Sequence, residues 1–246
     1  MWERLIREVR KDHPEVRFFA ETLGCLPEQT RDTARAGFDY IFNSSKWWDF
    51  QSAWLMKQYV LTREIVPSIG FPESHDTVRL SEELHGSIDG LKQRCLFTAL
   101  FSAGVMMPMG FEFGFRKRLH VANTRAEDWE ETGVDLTAFI TSVNGIKAKY
   151  AVFQEEAATE IHHCNNPNVL LMWKGSTRTK QEALLILNKD IHNKQTFYAE
   201  NLYESVQSRE PLNDVSPEYR LDYIPTPFHY DLRPGQGIVL VTESRP

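Results

Sequence analysis

The chain has few cysteines, no long apolar run and no excess of positive charge, and each absence excludes a class of protein. Its three cysteines, in 246 residues, are scattered and odd in number, which favours a reduced, cytoplasmic setting over a disulfide-stabilised one. No stretch of about 18 uncharged apolar residues occurs, so we expect no membrane span. With 28 Lys+Arg against 34 Asp+Glu, the net charge of −6 argues against a nucleic-acid partner.

Recognisable cofactor motifs are also lacking. The glycines form neither a GxxxxGK[ST] loop nor a GxGxxG turn, so no nucleotide site is predicted. The triplet His162-His163-Cys164 has metal-ligand side chains, but no second ligand cluster stands at a recognisable spacing, and a solvated hinge is the favoured interpretation. We therefore predict no metal and no cofactor.

The chain changes character near residue 165. Residues 1–164 alternate between helical and strand-like patterns and predict an α/β unit. Residues 165–246 carry short apolar runs separated by turn residues, which predict a small antiparallel β domain. The four strands expected in the first part lie at roughly 16–20, 38–42, 66–71 and 104–109, with a long helix over 46–66 between the second and the third.

Polar residues follow the ends of three of these strands. Glu21 closes the run VRFFAE, His75 and Asp76 follow SIGF with Arg79 close behind, and Glu112 lies in GFEFG after VMMPM. In parallel α/β folds, the chemistry gathers where the strands end. Each residue also has a plain structural interpretation, since Glu21 and Glu112 suit ordinary loops and Asp76 suits a helix cap.

Aromatic residues make up 12% of the chain and include six tryptophans. Sugar-binding sites use such rings, but large cores use them as well. The pair Trp47-Trp48 could stack on sugars, whereas Trp54 suits the core side of the predicted long helix.

Taken in order, these segments resemble glycoside hydrolase family 13, the α-amylase family. FFAETLG (18–24) is similar to the family's fifth-strand motif, FPESHDTVRL (71–80) to the seventh and VMMPMGFEFGF (105–115) to the eighth. The tail YDLRPGQGIVLV (230–241) resembles the closing domain. The resemblance implies strands 5–8 of a (β/α)8 TIM barrel over residues 1–164, followed by an antiparallel β-sandwich over 165–246.

The resemblance also implies roles for individual residues. Glu21 corresponds to the general acid and Asp76 to the second catalytic carboxylate, which favours the oxocarbenium-like transition state. His75, Arg79 and Glu112 then bind the substrate, an α-glucan or malto-oligosaccharide. The segment GFEFGF, with the sequence that follows it, is similar to maltosyltransferases that act on α-1,4-glucans.

One departure from the family pattern concerns the nucleophile. The family's nucleophile is an aspartate in an Arg-x-Asp motif on strand four, and we find no such strand ahead of Glu21. We therefore expect strands one to four to be absent, the chain alone to be inactive, and a separate N-terminal half-barrel to be its partner. A non-catalytic carbohydrate-binding or regulatory remnant is the alternative. Calcium binds some family members, but nothing here predicts it.

Overall fold

Helices and strands alternate in the first part of the chain, as the sequence predicts. The computed structural model describes residues 1–208 and 210–243. The four strands are short and lie side by side in chain order, β1 (Phe19–Glu21), β2 (Tyr40–Phe42), β3 (Ser68–Gly70) and β4 (Gly104–Val105). Six helices flank them: α1 (Trp2–Asp12), α2 (Pro27–Arg35), α3 (Trp54–Thr62), α4 (Leu80–Glu83), α5 (Ile88–Phe101) and α6 (Thr137–Lys149).

All neighbouring pairs of these four strands are parallel. Ala20 and Ile41 are buried against the helices, whereas Phe19 and Glu21 point to the opposite, exposed face, as the two-residue period of a strand requires. Gly70 is needed in β3, because a Cβ there would lie 2.8 Å from the Thr98 carbonyl oxygen of α5. Helices therefore cover one face of the sheet. The other face, which bears Phe19 and Glu21, is the open face.

The long helix predicted over 46–66 is shorter in the structure. A 3-10 turn, Ser45–Trp47, comes first, and α3 begins only at Trp54. Between them, Phe50 has a positive φ of 61°, which a helix cannot contain. The prediction failed because the apolar residues of this segment are spaced as in an amphipathic helix. They are apolar because they pack against other parts of the core.

The second part is antiparallel, as predicted. Five strands pair in the order β5 (Ala158–His162), β6 (Val169–Gly175), β7 (Glu182–Asn188), β11 (Gly237–Thr242) and β9 (Leu212–Asp214). A second sheet pairs β8 (Gln195–Ala199) with β10 (Phe228–Leu232). The sequence interpretation missed β5 and β9, and the predicted boundary at 164/165 falls after β5.

The three central strands of the five-stranded sheet, β6, β7 and β11, are buried on both faces. Along β6, Leu170 and Met172 pack with α5 residues of the first part, whereas Leu171 and Trp173 pack with Phe197 of the second sheet. The same alternation continues along β7 and β11. One apolar core thus joins the two parts of the chain.

Two lysines bond to backbone carbonyls near the end of α5, and one of them, Lys174, spans the junction between the two parts. Lys147 of α6 donates to three carbonyl oxygens, those of Ala99, Ser102 and Phe153, at 2.6–2.8 Å. Lys174 of β6 is wholly buried and donates to the Phe101 carbonyl. The bonds to Ala99, Phe101 and Ser102 satisfy carbonyls at the end of α5, which no helical N–H can reach. Burial lowers the pKa of Lys147 to about 7 and that of Lys174 to about 8.

The three cysteines differ sharply in accessibility, which gives a simple check of the fold. Cys95 on α5 is 1% exposed, and burial raises the pKa of its thiol to about 12, whereas Cys25 is exposed. We expect a disulfide reagent to label Cys25 within minutes and Cys95 only on unfolding, since the thiolate is the reacting species. Mass spectrometry of the labelled peptides measures both rates, and fast labelling of Cys95 in the native chain would contradict this packing.

None of the helices found among residues 1–208 and 210–243 is long and apolar enough to cross a membrane.

Candidate active site

The predicted site residues lie at the carboxyl end of the parallel sheet, at or after the last residues of its strands. Glu21 is the last residue of β1 and lies beside Phe42, the last residue of β2. The loop after β3 carries His75 and Asp76, and the loop after β4 carries Glu112. Because all four strands are parallel, these loops emerge at the same end of the sheet, where α/β folds place their ligands.

Glu21 points into the open face of the sheet. Its side chain is exposed. The turn behind it is tight, since the Cys25 N–H donates to the Thr22 carbonyl at 3.1 Å and the Thr22 hydroxyl donates to the Phe42 carbonyl at 3.2 Å. These bonds fix the backbone on which Glu21 stands and leave its carboxylate free to meet a ligand.

His75 and Asp76 form a contacting pair in the loop after β3. His75 Nε2 lies 3.3 Å from Asp76 Oδ2, and both side chains are accessible. Two short-range bonds shape the loop, from the Asp76 N–H to Ser74 Oγ at 3.3 Å and from the Ser74 N–H to Thr77 Oγ1 at 3.0 Å. Asp76 caps no helix, because α4 follows Arg79 and lacks a side-chain cap from Asp76. The structural alternative for Asp76 is therefore wrong.

Arg79 forms an ion pair with the carboxylate of Glu73. Arg79 Nε lies 2.9 Å from Glu73 Oε1, and both side chains are 1% exposed. The second Glu73 oxygen accepts the Leu80 N–H at 2.6 Å. Burial raises the pKa of Glu73, and the Arg79 guanidinium opposes that rise. The sequence interpretation missed Glu73. The one sequence signal for its role is that it follows an apolar strand and precedes a cationic residue, Arg79, by six positions.

The same arginine joins two loops. Both terminal nitrogens of Arg79 donate to the Met109 carbonyl at 3.1 Å, and Met109 lies in the loop after β4. Glu112 stabilises that loop from within, because its Oε2 accepts the Gly110 N–H at 2.9 Å. Gly110 has a φ of +89°, and a Cβ there would meet the Phe115 ring at 2.3 Å, so glycine is required. Of the two residues predicted to bind substrate, Arg79 thus has its guanidinium engaged in the protein, and Glu112 has one carboxylate oxygen engaged there.

A groove of about 660 Å³ opens beside these loops. Phe115 and Trp129 contribute apolar surface, with ring centroids 4.9 Å apart, and Lys117 and Arg118 add positive charge. Arg118 also donates to the Asp76 carbonyl at 3.1 Å, which places one wall of the groove next to the His75-Asp76 pair. The groove suits a polar ligand with flat apolar faces.

Two Arg-x-Asp triplets do occur in the chain, Arg10-Lys11-Asp12 and Arg220-Leu221-Asp222, and neither is at a strand end. Arg10-Lys11-Asp12 forms the last turn of α1, on the amino-terminal side of β1. Arg10 there pairs with Asp39 at 2.6 Å, while Asp12 is exposed. Across the described residues, no three His, Cys, Asp or Glu side chains cluster as metal ligands would.

Comparison with known proteins gives one curated relative and many structures. An α-1,4-glucan:maltose-1-phosphate maltosyltransferase from Burkholderia pseudomallei is 27% identical over 203 residues, covering 77% of this chain and 18% of that protein. This similarity supports a relationship with glycoside hydrolase family 13, the α-amylase family. No protein-family model matches it.

The α-amylase family also provides the structural neighbours. The Anoxybacillus α-amylase superposes with a TM-score of 0.74 at 13% identity, covering 100% of this chain and 56% of that enzyme. The α-amylase from H. orenii gives 0.75 at 13% identity, covering 98% and 56%. AmyP in complex with maltose gives 0.73 at 13% identity, covering 99% and 61%. The chain therefore shares the fold of these enzymes over little more than half of their length.

Proposed function

We propose that this chain supplies the acid/base half of a retaining active site that cleaves or transfers α-glucans. The supporting observation is that Glu21 and the His75-Asp76 pair follow parallel strands at one edge of the sheet, in the order of the family motifs. Glu21 protonates the departing glycosidic oxygen and then deprotonates water or an acceptor hydroxyl. Asp76 and His75 hold ring hydroxyls and favour the positively charged transition state.

Arg79 and Glu112 act on this site through the protein. The Arg79 guanidinium, held by Glu73, fixes the spacing between the loop with Asp76 and the loop with Met109. Glu112 keeps the second loop in its turn. Their proposed task is positioning, which keeps catalytic groups within the narrow geometry that the reaction needs.

The nucleophile, in this proposal, comes from a second segment of family type. A retaining pair of carboxyl groups stands about 5–5.5 Å apart, so the nucleophile must face Glu21 across the open side of the sheet. Two features support this arrangement. Among the residues that the structure describes, no strand pairs with the outer edge of β1 or of β4. Phe19 on the open face is 51% exposed, although it stacks on Tyr40 at 5.5 Å. A half-barrel would pair with both edges and cover that ring.

Reconstitution tests this function directly. The chain alone should leave maltoheptaose uncleaved, and mixing it with a family half-barrel that carries the Arg-x-Asp nucleophile should produce shorter and longer oligosaccharides. Chromatography of the products measures both hydrolysis and transfer, and light scattering reports whether the two pieces associate. A mixture that associates but never cleaves glucan would refute the function. Cleavage by the chain alone would refute the need for a second segment.

Transfer from a phosphorylated donor is the second candidate, favoured by the basic wall of the groove. Lys117 and Arg118 line it beside Asp76, and the Burkholderia relative is named for maltose 1-phosphate. Guanidinium and ammonium groups suit a phosphate leaving group. In the reconstituted enzyme, phosphate release from maltose 1-phosphate should then exceed cleavage of maltotriose, and Arg118→Ala should reduce only the former.

A further inference from the structure

Trp47 is displayed to solvent by neighbours that are themselves buried. Lys46 and Trp48, on either side of it, are 5% and 2% exposed, whereas Trp47 is 49% exposed. All three belong to or border the 3-10 turn Ser45–Trp47 that follows β2. A large apolar ring held in solvent by a buried turn is unusual, because burial of such a ring is strongly favourable.

The support beneath Trp47 is rigid on one side because of aromatic packing. Trp48 packs against Phe97 of α5 at 5.2 Å, and its indole N–H donates to the Ser52 carbonyl at 2.7 Å. Arg94 lies 4.3 Å above the Phe50 ring and donates to the Trp48 carbonyl at 2.6 Å. Phe50 adopts its positive φ here, and such strain persists only where surrounding contacts determine it.

An ion pair holds the other side. Lys46 Nζ lies 2.7 Å from Glu83 of α4, and the lysine side chain is 2% exposed. Since α4 follows directly after the loop of the His75-Asp76 pair, the turn under Trp47 is tied to the candidate site. The turn that carries Trp47 is therefore already ordered in the free protein. Binding to the face of its ring then loses little further conformational entropy.

Ring contacts place Trp47 at the same edge of the sheet as the acid. Its ring stands edge-on to Phe71, the residue after β3, with centroids 5.8 Å apart. Phe71 in turn meets Phe42 at 6.1 Å, and Phe42 is the strand neighbour of Glu21. Trp47 therefore lies between the strand that presents Glu21 and the loop that presents Asp76.

We propose that Trp47 is a sugar-binding platform, on which a glucose ring of the α-glucan stacks beside the reacting bond. The inference rests on the function proposed above. It adds a residue from the segment after β2, where no catalytic group has been placed. An indole face offers the flat apolar surface that matches the C–H face of a hexose, while the sugar hydroxyls stay in water. Trp47 is a binding residue and takes no part in proton transfer.

Fluorine NMR of the full chain labelled with 5-fluorotryptophan tests this proposal. The six tryptophans give six resonances, and Trp47→Phe assigns the relevant one. On titration with maltoheptaose, with and without the half-barrel, we expect the Trp47 resonance to shift. Trp47→Ala should weaken binding about tenfold, as loss of one aromatic stacking contact does, whereas Trp47→Phe should retain most of the affinity.

Trp2 provides a matched control. It is 47% exposed and stands edge-on to Phe38 at 5.8 Å, on helix α1, away from the loops of the candidate site. Trp2→Ala should leave maltoheptaose affinity unchanged. A Trp47 resonance that ignores the sugar under both conditions, or that responds only to the half-barrel, would overturn the proposal. Sugar binding at Trp47 without any glucan cleavage would leave the platform intact and count against the catalytic function alone.

Discussion

Glu21→Gln is expected to lower glucan cleavage by the reconstituted enzyme about 1,000-fold, the usual contribution of a general acid. Glutamine keeps the size of the side chain and its exposed position at the end of β1, but it carries no proton of suitable acidity. Cleavage of an activated donor such as maltosyl fluoride should be nearly spared in its first step, because fluoride departs without protonation. Initial rates on maltoheptaose and maltosyl fluoride measure this contrast.

Glu28→Gln is the control for this experiment. Glu28 is an exposed glutamate on α2, seven residues away in the sequence, and its replacement should leave both rates unchanged. Equal loss on both donors by Glu21→Gln would indicate damage to the site in place of a lost acid. Full activity of Glu21→Gln on maltoheptaose would remove Glu21 from the mechanism.

Arg79→Met is expected to cost about 3–5 kcal/mol of unfolding free energy, because it leaves the Glu73 carboxylate buried without its cation. It also removes both hydrogen bonds to the Met109 carbonyl. Urea denaturation at pH 7 measures the loss. Arg118→Met, which removes one exposed contact to the Asp76 carbonyl, should stay within about 0.5 kcal/mol of the parent.

The pH dependence of Arg79→Met gives a sharper criterion. Burial raises the pKa of Glu73 above its ordinary 4.5 in the parent, and loss of the Arg79 guanidinium, which opposes that rise, should raise this pKa further in the variant. The deficit should therefore be smallest below pH 4.5 and should grow as the pH rises through the raised pKa. The double variant Glu73→Gln/Arg79→Met should recover much of the loss at pH 7. A deficit independent of pH would show that lost packing, and not the buried charge, is responsible.

The order of elements was largely predictable, and the exact geometry was not. Apolar runs such as VRFFAE and SIGF predict strands because they are short, β-branched or aromatic, and bounded by turn residues. Their ends then predict that Glu21 and Asp76 emerge together. The helix over 46–66 failed because Trp48 and Phe50 pack against α5, and local spacing contains no information about that contact.

Roles within the site were harder to predict than positions. A charged side chain in sequence looks alike whether solvent or a buried partner surrounds it, so Arg79 and Glu112 were expected to meet substrate. Their observed partners, Glu73 with Met109 and the Gly110 N–H respectively, depend on loops brought together by β3 and β4. Contacts between residues of different loops depend on the fold, and they cannot be inferred from the residues one at a time.

The double-sided burial of the central strands β6, β7 and β11 has a consequence for how this chain can be divided. Leu170 and Met172 on one side of β6 belong to the same apolar cluster as α5, and Lys174 bonds to the Phe101 carbonyl at the end of that helix. Severing the chain at residue 164 would uncover both surfaces at once, so neither piece would be a self-sufficient folding module. Scanning calorimetry should therefore show one unfolding transition shared by the two parts. A chimaera with a related protein should fold only when both parts are exchanged together.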